Sequence, residues 1–142
     1  MTVKQISVFL ENSYGKLADI VDVLSGEGIN LRAMSLAESQ DFGIVRIIVD
    51  DYEKTSKILA EKSYVFSVKD VVAITIDDKP GSLAKVLRVL NDAQINMEYM
   101  YAFTAPANGA ASLILKTADT ESTADVLSKN GVCLLTQKDL SE

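Results

Sequence analysis

Two short stretches of the chain carry residues that could recognise a small charged ligand. One reads Glu11-Asn12-Ser13-Tyr14-Gly15-Lys16 and the other Asp77-Asp78-Lys79-Pro80-Gly81-Ser82. Each follows an alternating apolar run and precedes a leucine that opens a helical pattern, which puts both at the N-terminus of a helix. Unpaired N–H groups and a partial positive charge at such an end suit a carboxylate. A side-chain amide or carboxylate just before it can accept hydrogen bonds from an ammonium. Helix capping by Asn12 and Asp78 is the competing role, worth about 1 kcal/mol each. Pro80 would then only pre-set φ in the first turn.

The chemistry these stretches lack is equally informative. The 142 residues include no histidine, no tryptophan and a single cysteine. Without histidine there is no side chain that titrates unperturbed near pH 7, and the commonest metal ligand is missing. Cys133 lies in Val132-Cys133-Leu134-Leu135 with no cation beside it, so it reads as a core thiol and not a nucleophile. No catalytic residue, metal or cofactor is expected. The pairs Asp50-Asp51 and Asp77-Asp78 read as solvated turns in preference to a cation site. The formal net charge of −6 disfavours nucleic acid and anionic membrane surfaces as partners. Apolar runs are too short to span a bilayer and no secretory leader is recognisable, so a cytoplasmic location is expected.

Positioning the two stretches requires a repeated scaffold, and the chain supplies one. A shift of 66 positions aligns Gly15 with Gly81, Leu17-Ala18 with Leu83-Ala84, and Val23-Leu24 with Val89-Leu90. The same shift aligns Ile29-Asn30 with Ile95-Asn96, Met34 with Met100, and Gly43 with Gly109. Further on the register slips by two or three residues, matching Ile58-Leu59 to Val126-Leu127 and Lys69-Asp70 to Lys138-Asp139. Such ungapped self-similarity marks a duplicated unit.

Within each copy the periodicity changes along the chain. Ile6, Val8 and Leu10 alternate as a strand does, as do Val72, Ile74 and Ile76. Leu17, Ile20, Val21 and Leu24 recur with helical spacing, repeated by Leu83, Val86, Leu87 and Leu90. Gly26 and Gly28 stop the first helix. Strands follow at Ile29–Ala33, Ile44–Val49 and Met97–Phe103, with turns at Gln40–Gly43 and Pro106–Gly109. Helices over Tyr52–Lys62 and Thr120–Lys129 lead to last strands at Tyr64–Val68 and Val132–Leu135. The order is βαββαβ, twice, with domains expected at 1–70 and 71–142. The fold class is α+β: two ferredoxin-like units, each an antiparallel sheet with two helices on one face. Strict alternation puts Tyr99, Tyr101 and Phe103 in the helix-covered core and leaves Met100 on the other side. The uncovered face or sheet edge is then expected to meet the other half or another subunit.

Asp78, Pro80-Gly81-Ser82-Leu83 and Ile95-Asn96-Met97, with Asn12, Gly15-Lys16-Leu17 and Gly28-Ile29-Asn30-Leu31 in the other copy, resemble the ACT family. Its pattern is an acidic or amide residue, then Pro-Gly-x-Leu, then Gly-Ile/Val-Asn-Ile. The resemblance spans the chain as two tandem domains. It implies a regulatory protein that binds a free amino acid or related metabolite at Glu11–Lys16 and Asp77–Ser82, with Asn30 and Asn96 contributing from a neighbouring unit. A homodimer is implied, with a partner enzyme as a further possibility; a structural subunit that grips an enzyme through its sheet edges, without a ligand, is the alternative. Glu11-Asn12 is similar to serine-binding members, although Leu10 stands where those carry a histidine. Asp78 places a negative charge where a carboxylate would approach, a repulsion on the order of 4 kcal/mol at ~4 Å and an effective dielectric near 20, so the first loop is the expected site.

Other ferredoxin-like functions do not fit these residues. RNA binding needs exposed rings on the central strands and a basic surface, and Ile44-Val45-Arg46-Ile47-Ile48 offers no ring. Gly26-Glu27-Gly28 follows a helix, whereas a dinucleotide-binding turn follows a strand. The purified protein is expected to leave amino acids and 2-oxo acids unconverted. A steady loss of either, abolished by one substitution in a loop, would contradict this.

Overall fold

Each copy of the duplicated sequence folds as one βαββαβ unit. In the first, β1 (Val3–Glu11) leads to α1 (Lys16–Gly26), β2 (Leu31–Glu38), β3 (Phe42–Val49), α2 (Tyr52–Glu61) and the start of β4 (Val65–Asp77). In the second, the rest of β4 leads to α3 (Ser82–Asp92), β5 (Met97–Ala102), β6 (Ala110–Thr117), α4 (Thr120–Lys129) and β7 (Cys133–Leu135), before a final α5 (Gln137–Ser141). The computed structural model describes residues 1–38, 41–103 and 110–141. The hairpin residues Gln40 and Pro106-Ala107-Asn108-Gly109 lie outside the described residues. The compact units are Lys4–Lys69 with Ser141, and Asp70–Leu140 with Met1–Val3.

Strand pairing follows the ferredoxin-like order. In the first unit β3 lies between β2 and β1, antiparallel to both, and β4 is the other neighbour of β1. In the second unit the order is β7, β4, β6, β5, again with antiparallel pairs. Helices cover one face. In the first unit Ile6, Val8, Leu10, Val45, Ile47 and Val49 pack there against Ile20, Leu24, Ile58 and Leu59. In the second, Val72, Ile74, Leu113 and Leu115 pack against Val86, Leu90, Ala124 and Leu127. These are the apolar stripes legible in the sequence.

Four details depart from the expected pattern, each for a local reason. The strands expected near 64–68 and 72–76 are one strand, β4; nothing between Val65 and Asp77 supplies a glycine or proline to break it. The pairing in β5 shifts register between Met97 and Tyr99, as β2 does between Leu31 and Ala33. Such a bulge flips the side chains beyond it. Met97 and Met100 therefore pack on the helix-covered core, while Tyr99 and Tyr101, paired with Lys116 and Ile114, stack on each other at 6.4 Å on the opposite face. Lys138-Asp139 does not continue the repeat: it belongs to α5, whereas Lys69-Asp70 belongs to β4. Thr136 N–H and Oγ1 donate to Asp139 Oδ2 at 2.7 and 2.9 Å, and Asp139 N–H donates back to Thr136 Oγ1 at 3.3 Å. That reciprocal capping box starts α5 and holds the Asp139 carboxyl below its usual pKa, chiefly through the Thr136 backbone hydrogen bond. Finally, Cys133 is exposed. Val132 and Leu134 take the core side of this segment, and the alternating residue pairs across to Thr75 on the other.

All four long helices end alike. Gly28, Ser63, Gln94 and Gly131 adopt positive φ (76°, 64°, 58° and 80°). In each case the next residue's N–H reaches back into the last turn, as Ile29 does to Leu24 O at 3.0 Å and Ile95 to Leu90 O at 2.9 Å. Gln94 holds in the second copy the place Gly28 holds in the first, so a side chain bears a conformation that glycine adopts freely. Gln94→Gly is expected to raise stability by about 1 kcal/mol, and Gly28→Ala to lower it by a similar amount. Urea unfolding midpoints with unchanged slopes would check both.

Candidate functional site

The two polar loops have the same backbone. Ser13 N–H donates to Glu11 O at 2.9 Å in the first, and Lys79 N–H to Asp77 O at 3.0 Å in the second. Gly15 (φ 80°, ψ −8°) and Gly81 (φ 90°, ψ −14°) then occupy the N-cap positions of α1 and α3 in the left-handed region, and neither helix has a side-chain cap. No atom would crowd a Cβ at either glycine, so it is φ and not space that calls for glycine there. The first i→i−4 bonds are made by Asp19 N–H on Gly15 O (2.8 Å) and Lys85 N–H on Gly81 O (3.1 Å). Amides earlier in each turn have no intrahelical partner, and that of Ser82 donates instead to Lys79 O in the loop at 3.3 Å.

The second helix of each unit begins differently. Asp51 Oδ1 accepts from Lys54 N–H at 3.0 Å, and Asp119 Oδ1 from Ser122 N–H at 3.1 Å. The aspartates that cap are therefore these two, and neither Asn12 nor Asp78 caps its helix. Asp50 is engaged too: its Oδ1 accepts from Asn30 N–H at 3.1 Å.

Around the first loop, Glu11, Asn12, Ser13, Tyr14, Gly15 and Lys16 are all exposed, and Tyr14 stands wholly in solvent. Asn12 N–H donates to Asp41 O at 3.2 Å, tying the loop to the start of β3. An open hollow of about 470 Å3 adjoins it, lined by Phe9, Leu10, Glu11, Phe42 and Val65. Of the expected site residues only Glu11 takes part, and the walls are otherwise apolar.

Around the second loop the structure gathers more. Asp77, Lys79 and Ser82 line a cleft of about 440 Å3 together with Lys85, Val86 and Val89 of α3 and the turn from Asn130 to Cys133. The cleft exists because β7 is short. It pairs with β4 only over Ala73–Thr75, so Ile76 and Asp77 are paired on the β6 side alone. Lys79 Nζ is 3.6 Å from Asp77 Oδ2 in an exposed pair. Asp78, Pro80 and Gly81 are exposed and do not line the cleft. Lys79 and Lys85 are the cations in the lining and Asp77 its carboxylate.

Asn30 and Asn96 do not join these loops within a unit. Each lies past the far end of its helix, and the 11 residues of α3 span about 16 Å. Asn96 lines a separate hollow of about 310 Å3 with Gln94, Glu98 and Asp119. Lys85 was not singled out in the sequence, although its spacing from Ser82, Val86 and Val89 (i, i+3, i+4, i+7) placed it on the cleft face of α3.

A family model described as an ACT domain pair matches residues 1–142. A Bacteroides thetaiotaomicron protein of solved structure is 39% identical, with a TM-score of 0.93 over 100% of this chain and 97% of that one. The ligand-free regulatory subunit of aspartate kinase from Thermus thermophilus is 16% identical, with a TM-score of 0.65 over 90% and 92% of the two chains. Aspartokinase alpha and beta subunits give 18% identity and 0.60 over 89% and 90%. Comparison with curated proteins finds no match.

Where the second unit has Val132, the first has Tyr64, half-buried against its core. Burial, and then the charge of Asp19, raise the Tyr64 pKa above its usual value of 10.0. A phenol whose pKa rises on folding stabilises the fold fully below the unfolded pKa. That contribution is lost as pH climbs from about 10 through the folded value. The slope of stability against pH above 10 is expected to be shallower in Tyr64→Phe than in the parent, read from urea midpoints at pH 9 to 11.

Proposed function

The chain belongs to the ACT domain pair family, and we propose that within it this protein is a non-catalytic regulatory module that binds a free amino acid or a closely related metabolite. The observation that carries this reading is the pair of matching turns at Gly15 and Gly81. In each unit one helix is capped by an aspartate, while the other opens on a left-handed glycine with no side-chain cap. Polar residues gather at those two turns, and a carboxylate is the group a helix N-terminus suits. The expected site residues remain those of the loops, Glu11–Lys16 and Asp77–Ser82, with Asn30 and Asn96 able to contribute only from another unit.

Regulation would be exerted on an enzyme in trans or through self-association, as a homodimer, in the cytoplasm. The likeness to a separate regulatory subunit of aspartate kinase supports the first route by analogy of fold. A second reading, an interaction subunit without a ligand, is favoured by one feature. The outer strand β2 exposes Met34 and Leu36, and the hollow next to the first loop exposes Phe9, Phe42 and Val65.

Thermal unfolding across the amino acids and their 2-oxo acids separates the two readings. A ligand present at a hundred times its Kd is expected to stabilise by about 2.7 kcal/mol and raise Tm by several degrees. If no compound shifts Tm while an enzyme partner binds tightly, the second reading holds.

A further inference from the structure

We propose that the second unit alone, within its own fold, holds a site for an amino acid with an aliphatic side chain, in the cleft where Asp77, Lys79 and Lys85 face Val86, Val89 and Val132. This rests on the amino-acid-binding reading above and adds a location and a ligand class to it.

The cleft is built as a zwitterion with an apolar body requires. Along α3 the lining residues form one stripe, polar at Ser82 and Lys85 and apolar at Val86 and Val89. The Lys85 ammonium and the Ser82 hydroxyl can hold a carboxylate at the helix opening, where the helix dipole also favours negative charge. Asp77 is the one carboxylate in the lining and is the acceptor for an ammonium. Its present partner, Lys79 at 3.6 Å, is an exposed pair that a ligand can displace at little cost. Ile76, Val86, Val89 and Val132 then leave an apolar wall for the side chain. The volume of about 440 Å3 is within the roughly 300–1,000 Å3 usual for small-molecule sites.

The first unit shows what the same framework looks like with other side chains. Counterparts of Asp77, Lys79, Ser82 and Lys85 there are Glu11, Ser13, Lys16 and Asp19. The balance changes from one carboxylate and two ammoniums to two carboxylates and one ammonium. The counterpart of Val132 is Tyr64, whose ring packs on the core edge close enough for Asp19 to act on its hydroxyl. A carboxylate approaching the same place in the first unit would meet Asp19 where the second unit offers Lys85.

The test is calorimetric titration of the intact protein with L-leucine, 4-methyl-2-oxopentanoate, L-glutamate and L-lysine, with 15N amide shifts locating the site. L-leucine is expected to bind best and to move the amides of Asp77, Lys79, Gly131 and Val132. Lys85→Glu is expected to weaken it at least tenfold, and Asp77→Asn to reduce the preference for L-leucine over the 2-oxo acid. Leucine binding that moves only Asn12–Lys16, or that Lys85→Glu leaves unchanged, overturns the location while sparing the regulatory reading. Binding of glutamate or lysine but not leucine overturns the ligand class. Absence of binding by any amino acid removes both the inference and the reading beneath it.

Discussion

A helix must do something with the amide groups of its first turn, and the two solutions used here divide the labour in each unit. In α2 and α4 an aspartate satisfies one of them, and Thr55 and Thr123 bond back to the same residue's carbonyl at 2.8 and 2.9 Å. In α1 and α3 a left-handed glycine turns the chain and leaves the amides unsatisfied by any side chain. Relative to a helix with a side-chain cap, glycine at this place forgoes roughly a few tenths of a kcal/mol each time. The shortfall falls twice at equivalent places, on the loops with the most polar sequence. So small a difference lets the fold keep a glycine turn without a side-chain cap at both places.

That arrangement was legible in the residues because it is local. Glycine after a short polar run, a leucine two residues on and apolar spacing of three and four are features of adjacent positions. So are the helix ends, and the repeat made them doubly visible. The features that were not legible depend on pairing across space. No residue of Met97–Phe103 announces the bulge that leaves Met97 in the core and exchanges Tyr99 and Tyr101 for Met100 there, since alternation reads the same until a partner strand fixes the register. Nor does the sequence reveal that β7 stops three residues along β4, the cause of the cleft beside Asp77. The unforeseen α5 is a different case. Its capping box, Thr136-Gln137-Lys138-Asp139, is a sequence signal that the apparent match of Lys138-Asp139 to Lys69-Asp70 obscured.

Duplication also explains how one framework can come to hold two unlike surfaces. Backbone features are shared almost throughout: both turns, the bulges, the capping aspartates and the left-handed helix ends recur at equivalent places. These are costly to alter singly, because each sets the register of the next element. Side chains that line hollows are under no such constraint. An exposed charge on α1 or α3 can be exchanged for its opposite within about 0.5 kcal/mol of stability, yet it reverses the sign of the field at the helix opening. Asp19 and Lys85 are such an exchange.

The filling residue matters as much as the charge. Tyr64 and Val132 both follow a left-handed residue and both pack against the edge of a core, so either satisfies the fold. A tyrosine covers that edge with its own ring and brings a hydroxyl to Asp19. A valine covers less and leaves apolar wall exposed beside Lys85 and Ser82, a surface that gains from being covered by something else. An amino acid with an aliphatic side chain, as proposed above, would supply that cover together with the two charges the rim can meet. The two copies thus keep one fold with unlike edges, the first closed by the Tyr64 side chain and the second leaving an apolar wall beside Lys85 and Ser82.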